Sequence, residues 1–187
     1  MAENKIKFGI ENCVYAARTV ATNGTVSYGT VKSLPGAVAL SLSPEGTDNP
    51  FYADDIEYYR TMANNGYSGT LELALIPDEF RIYALGEVLD TKQVLCEKSN
   101  ASAGEFAFGF KHEGDDHETL FWFYNCVVSR PDIAADTKED SIDPQTETLN
   151  ITCRPETNKV VRAKTIATTN SSTVTSWFSN VYVPTLS

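Results

Sequence analysis

The chain has little of what most enzymes and metalloproteins are built around. Only two histidines occur, His112 and His117, and no GxSxG elbow, so a Ser/His/Asp triad has few available bases. No glycine-rich phosphate loop of the Walker or dinucleotide type is present. The four cysteines, Cys13, Cys96, Cys126 and Cys153, include no CxxC pair, which excludes the spacing of zinc and dithiol motifs. No segment approaches the roughly 20 apolar residues of a membrane span, and MAENKIKFGIENC lacks the apolar centre of a secretory signal. A protein kept in a reducing cytosol, with free thiols and no membrane partner, is the expectation. Positive charge is also scarce. Lys plus Arg is 15 against 25 Asp plus Glu, a formal charge of −10, the wrong sign for holding phosphates by counterion release.

What the chain does have is alternation. Ile6, Phe8 and Ile10, then Val38, Leu40 and Leu42, then Leu71, Leu73 and Leu75 recur with period two. Phe106, Phe108 and Phe110 follow, and later Leu149, Ile151 and Cys153. Between these last two sets lies LFWFYNCVV, Leu120–Val128, an unbroken apolar and aromatic run that reads as a central strand buried on both faces. Asn23-Gly24 and Asn65-Gly66 each read as type I′ hairpin turns, and the acidic stretch Gly114–Asp116 separates the Phe106 and Leu120 strands. With 187 residues, 42% of them hydrophobic, the pattern predicts a single, mainly β domain. Its expected form is an antiparallel β-sandwich or partly closed barrel.

One short flanking helix is predicted over about 77–85. Pro77 has the φ of a first helical position, Asp78 and Glu79 oppose the N-terminal dipole, and Gly86 suits a left-handed C-terminal cap. A helix that short needs Phe80, Tyr83 and Ala84 packed on the sheet to hold it. Two segments, Ser43–Pro50 and Arg130–Glu147, are turn-rich and read as long loops.

The acidic and histidine clusters carry weaker signals. Asp54, Asp55 and Glu57 in FYADDIEYYR invite a carboxylate-pair or metal reading, but neither glycosidase separation nor EF-hand spacing is present. A solvated strand or loop is the simpler account. His112 and His117 flank a tight turn and read as the wet end of a hairpin, and Cys126 sits in an apolar strand as an inert thiol. No catalytic, cofactor-binding or metal-ligating residue is assigned. Aromatics are numerous, and Tyr58, Tyr59, Tyr67, Trp177 and Tyr182 are candidates for a binding or subunit surface. A carbohydrate-binding β-sandwich is therefore the alternative reading.

Six blocks in series go beyond pattern: Leu34–Gly46, Phe51–Asp55, Asn64–Glu87, Leu120–Pro131, Pro144–Leu149 and Trp177–Pro184. Together, and in this order over nearly the whole chain, they resemble the major tail proteins of long-tailed bacteriophages that infect Gram-positive bacteria. The resemblance implies a virion structural protein, a tail-tube subunit without catalytic residues, assembled in the host cytoplasm. Its copies would form rings, usually hexameric, that stack into a hollow tube through which DNA passes without specific binding. Further partners would be the tape-measure, tail-tip and terminator proteins. Termini and long loops bridge successive rings in such tubes, so the N-terminal arm, Ser43–Pro50 and Arg130–Glu147 are the candidate segments. From the two loops and the surface aromatics, Ser43, Glu45, Asp48, Tyr58, Tyr59, Asp136, Lys138, Glu139 and Asp140 are candidate subunit or ring-stacking contacts. Any share of the negative charge that faces the lumen would repel DNA phosphate.

Overall fold

A computed structural model describes residues 4–135, 137 and 144–185. The period-two segments form one curled antiparallel sheet. Its strands are β1 (Lys7–Val20), β2 (Val26–Ser33), β3 (Ala37–Glu45), β6 (Gly66–Leu73), β9 (Phe106–Gly114), β10 (Thr119–Val128), β11 (Glu147–Arg154) and β12 (Arg162–Lys164). The order across the sheet is β2-β1-β9-β10-β11-β6-β3. β12 lies end to end with β11, so β10 pairs with Arg162–Lys164 along its first half and with β11 along its second. The sheet curls until β3 approaches β1, and the Leu34 N–H, between β2 and β3, donates to the Cys13 carbonyl at 2.8 Å, carrying the β1–β2 pairing one residue further. No ladder joins β1 to β3, and the result is a partly closed, sandwich-like barrel, as the alternation predicts. A small two-stranded sheet, β7 (Val88–Leu89) with β8 (Leu95–Cys96), stands apart.

Strand β10 is buried on both faces because its side chains divide between two cores. Phe123, Cys126 and Val128 enter the inner core with Tyr15, Leu71, Leu73, Phe106, Phe108, Leu149 and Ile151. Leu120, Trp122 and Tyr124 enter an outer core with Val14 and Trp177. Strict alternation would send Cys126 and Val128 outward with Trp122 and Tyr124. A register shift against β9 between Phe123 and Cys126 absorbs one residue and returns them to the inner side, the usual effect of a β-bulge. Gly109 of β9 faces Trp122, where an added Cβ would lie 2.9 Å from the indole. That glycine lets the largest outer-core side chain lie flat on the sheet.

The predicted helix is present in altered form. Residues Asp78–Phe80 make a single α turn, α1, which widens into a π turn over Arg81–Leu85. Gly86 closes it at φ 73°, as expected of a left-handed cap. Pro77 is the N-cap and not the first helical residue. Phe80 and Ala84 are fully buried, and Phe80 meets Tyr15 and Phe106 edge to face, with ring centres 4.8 and 5.2 Å away. The Tyr83 hydroxyl donates to the Glu105 carbonyl at 2.6 Å and accepts from the Arg18 N–H at 3.1 Å. A second helix, α2 (Ser171–Ser176), was not predicted. Its threonines and serines hide the period, and the chain after it covers the outer core: Trp122 Nε1 donates to the Trp177 carbonyl at 3.0 Å.

Arg18, at the end of β1, is buried together with Glu156, which follows β11. The guanidinium grips the carboxylate with two bonds of 2.6 Å and pairs also with Glu105. Burial alone would raise the Glu156 carboxyl, but Arg18, the Thr157 N–H and the Tyr28 hydroxyl outweigh it and hold it below the ordinary 4.5. A depressed carboxylate contributes stability that is present above its unfolded value and lost as pH falls through the folded one.

Two expected outcomes follow from this packing. Phe80→Ala should cost about 3–5 kcal/mol in urea unfolding, since it empties the contact that fixes α1 to the sheet. Glu156→Gln should cost about 1.5–3 kcal/mol at neutral pH, because the buried Arg18 loses its charge-assisted bonds to Glu156 and keeps Glu105 as its ionic partner. The urea midpoint of the unaltered chain should also fall more steeply below pH 4.5 than that of the variant.

Candidate assembly surface

Between β3 and β6 the chain leaves the sheet and returns. Among the described residues, Asp48–Ala53 (β4) and Ile56–Met62 (β5) pair only with each other. The pairing Glu45↔Gly66 ends one ladder and Asp48↔Met62 begins the next, so β4–β5 prolongs the β3–β6 pair as an arm. Six residues of strand give it a reach of about 20 Å. The segment Ser43–Pro50 is therefore not the loop its composition indicates. Only Gly46 and Thr47 separate β3 from β4, and two-stranded pairing satisfies the polar backbone that composition alone assigns to a turn.

The tip overturns another expectation. Neither Asn-Gly pair makes a type I′ turn: in each, only the glycine has positive φ. Gly66 instead opens β6, with the Asn65 N–H bonded to the Glu45 carbonyl at 2.8 Å. The positive pair is Asp54 and Asp55, at φ 53° and 61°, between the paired residues Ala53 and Ile56. Aspartate tolerates this conformation better than most residues with a Cβ.

The two faces of the arm differ. Arg60 pairs with Asp48 at 3.0 Å and with Glu57 at 2.8 Å on one face. Phe51 lies opposite Tyr59, and Ala53 opposite Ile56, on the other. A bulge between the Phe51 and Tyr52 pairings leaves Tyr58 as the extra residue of β5. Every residue of β5 is exposed, Tyr58 at 71% and Met62 at 79%, so these side chains belong to neither core. A two-stranded hairpin is marginal in water unless its apolar face is covered, and contiguous exposed apolar surface marks interaction sites. Pro50, the bulge and the acidic residues hinder addition of another strand along the arm's edges. Its faces and its tip are therefore the surfaces left open to contact.

Five of the candidate contacts gather at the arm and its root. Ser43 pairs with Ser68, Glu45 accepts a bond from the Ser68 hydroxyl, and Asp48, Tyr58 and Tyr59 are on the arm itself. Asp136, Lys138, Glu139 and Asp140 lie outside the described residues. Sequence reasoning missed Phe51, Ile56 and Met62; the overlooked signal was the FYADDIEYYR alternation folded about its Asp-Asp centre. Trp177 is not a surface residue: it is 3% exposed, stacked on Tyr182 at 4.8 Å. Tyr67 is half-buried, edge-on to Phe123 at 5.5 Å. Cys13, Cys126 and Cys153 are buried free thiols, and burial pushes Cys13 up to about 12, far from the thiolate form. Among the described residues, no helix is long and apolar enough to cross a membrane.

A scan against protein-family models finds no match for the chain, and neither does a search of curated proteins.

Limited chymotrypsin treatment should cut first at Phe51, Tyr52, Tyr58 or Tyr59, leaving two fragments that stay associated through β3 and β6. Mass spectrometry of the first products checks this, and initial cleavage at Phe106–Phe110 would mean that the arm is not the exposed element.

Proposed function

We propose that the chain is a tail-tube subunit of a long-tailed bacteriophage, a virion structural protein whose copies form stacked rings, most simply hexamers, around a conduit for DNA. The observation that carries this reading is the arm: an apolar-faced hairpin that finds no strand partner among the described residues of its own chain. The resemblance of six sequence blocks to phage major tail proteins supplies the kind of assembly. Buried area is what makes such an arm stable, and a second copy of the chain is the partner always present at high concentration during assembly.

A glycan-binding role would need aromatic rings held on a rigid face. Here the most exposed rings, Phe51, Tyr52, Tyr58 and Tyr59, stand on a two-stranded arm, away from both cores. The negative formal charge fits a conduit, because carboxylates facing a lumen would keep DNA from adhering. Tape-measure, tail-tip and terminator proteins are the further partners of this reading, and the virion tail, built in the host cytoplasm, is its location.

Electron microscopy and light scattering over a concentration series test the proposal. The full chain should form rings or hollow tubes, and a chain in which Asn-Gly replaces residues 48–62 should remain folded yet stay monomeric. Tubes formed equally well without the arm would remove its role in assembly, and a full chain that stays monomeric even with the tail-tip initiator added would overturn the reading.

A further inference from the structure

A basin of about 740 Å³ opens at the mouth of the curled sheet, where the N-terminal residues pass between β3 and the β9–β10 pair. Its floor is aromatic. Phe110 and Phe121 stack with ring centres 4.9 Å apart and planes within 7°, and Phe123 lies in the same stack. Its rim is cationic: Lys5 and Lys7 on one side, Arg162 and Lys164 of β12 on the other. The Arg162 guanidinium stands over the rings of Tyr67 and Phe121 at 5.7 and 5.9 Å. The Lys5 end is fixed in place, since its N–H donates to Asp115 at 2.9 Å while Asn4 Oδ1 accepts from the Asp116 and His117 N–H groups.

Among the described residues no carboxylate lines this basin, and none of its four cations makes a salt bridge. In a chain of net charge −10 that is a local reversal. Four like charges around one opening repel each other, and an incoming anion relieves the repulsion.

The arm carries the complement. Between Glu45 and Met62 it holds five acids (Glu45, Asp48, Asp54, Asp55, Glu57) and one base (Arg60), a net of −4 against the basin's +4. Asp54 and Asp55 stand at its tip, with Phe51, Ile56 and Tyr59 on one face just behind. No residue of β4 or β5 lines the basin of its own chain.

We propose that the basin receives the arm tip of a second copy, the Asp54 and Asp55 carboxylates meeting Arg162, Lys164, Lys5 and Lys7 while the apolar face covers the Phe110–Phe121 floor. This rests on the self-assembly reading and adds the acceptor to it. Arginine offers the carboxylates paired donors, and the opposed potentials of arm and basin also select the docking register. Because arm and basin are different surfaces, the contact is head to tail and propagates as a closed ring or an open series, unless two copies exchange arms reciprocally.

Charge reversal with rescue tests it. R162E/K164E reverses part of the basin rim and D54K/D55K reverses the tip, all at exposed positions, and thermal melting confirms that each variant folds. Each variant alone should raise the concentration for half-assembly by roughly 100-fold or more. One chain carrying all four changes should regain much of the loss, which a merely structural role would not produce. Assembly of R162E/K164E at the wild-type concentration, or failure of the four-change chain to recover, would overturn the basin as acceptor while leaving self-assembly intact. Charge-dependent association that stops at two copies would support the basin and overturn the tube. A wild-type chain that remains monomeric throughout would overturn both.

Discussion

Strand β10 packs into apolar surroundings on both of its faces, and the rest of the molecule is arranged to supply them. One set of its side chains is enclosed by the curl of its own sheet and the α1 segment. The other set lies outside that curl and is covered by the chain that follows β11. A strand in this position must satisfy its backbone on both edges as well. β9 supplies one edge, and β12 and β11, end to end, supply the other. The bulge after Phe123 lets one strand serve two cores whose positions are out of phase.

Much of this was legible because burial leaves a period. The phenylalanines of β9, the leucines of β6 and the unbroken run of β10 all form strands where their spacing places them. Phe80 and Ala84 face the sheet as a helical spacing requires. The misread parts share a physical cause: their structure depends on backbone pairing or on distant cover, neither of which shows in side-chain periodicity. Ser43–Pro50 is polar and turn-rich because it is exposed, and it is exposed although it is strand. Asn65-Gly66 has the composition of a hairpin turn, but the strands that flank it, β5 and β6, pair with β4 and β3 and not with each other. The second helix is short, and the burial around it belongs to Trp177, just beyond its end.

The candidate surface was only partly readable for the same reason. Tyr58, Tyr59 and Asp48 stood out as exposed types in an unusual cluster. The apolar face formed by Phe51, Ile56 and Tyr59 emerges only when the chain is folded about Asp54-Asp55 and the bulge at Tyr58 is counted. The basin was still less visible. Its cations come from the N-terminus and from β12, and only the curl of the sheet and the end-to-end placement of β11 and β12 bring them together.

The geometry of the arm limits how its length can vary. Its charged and apolar sides are defined by alternation, so one extra residue in each strand would turn Phe51, Ile56 and Tyr59 toward the side now held by Arg60. Two extra residues in each strand would preserve both sides and move the tip outward by about 6.6 Å. Descendants of this chain that differ in reach should therefore differ in even steps, with the bulge as the one place where a single residue can be gained or lost.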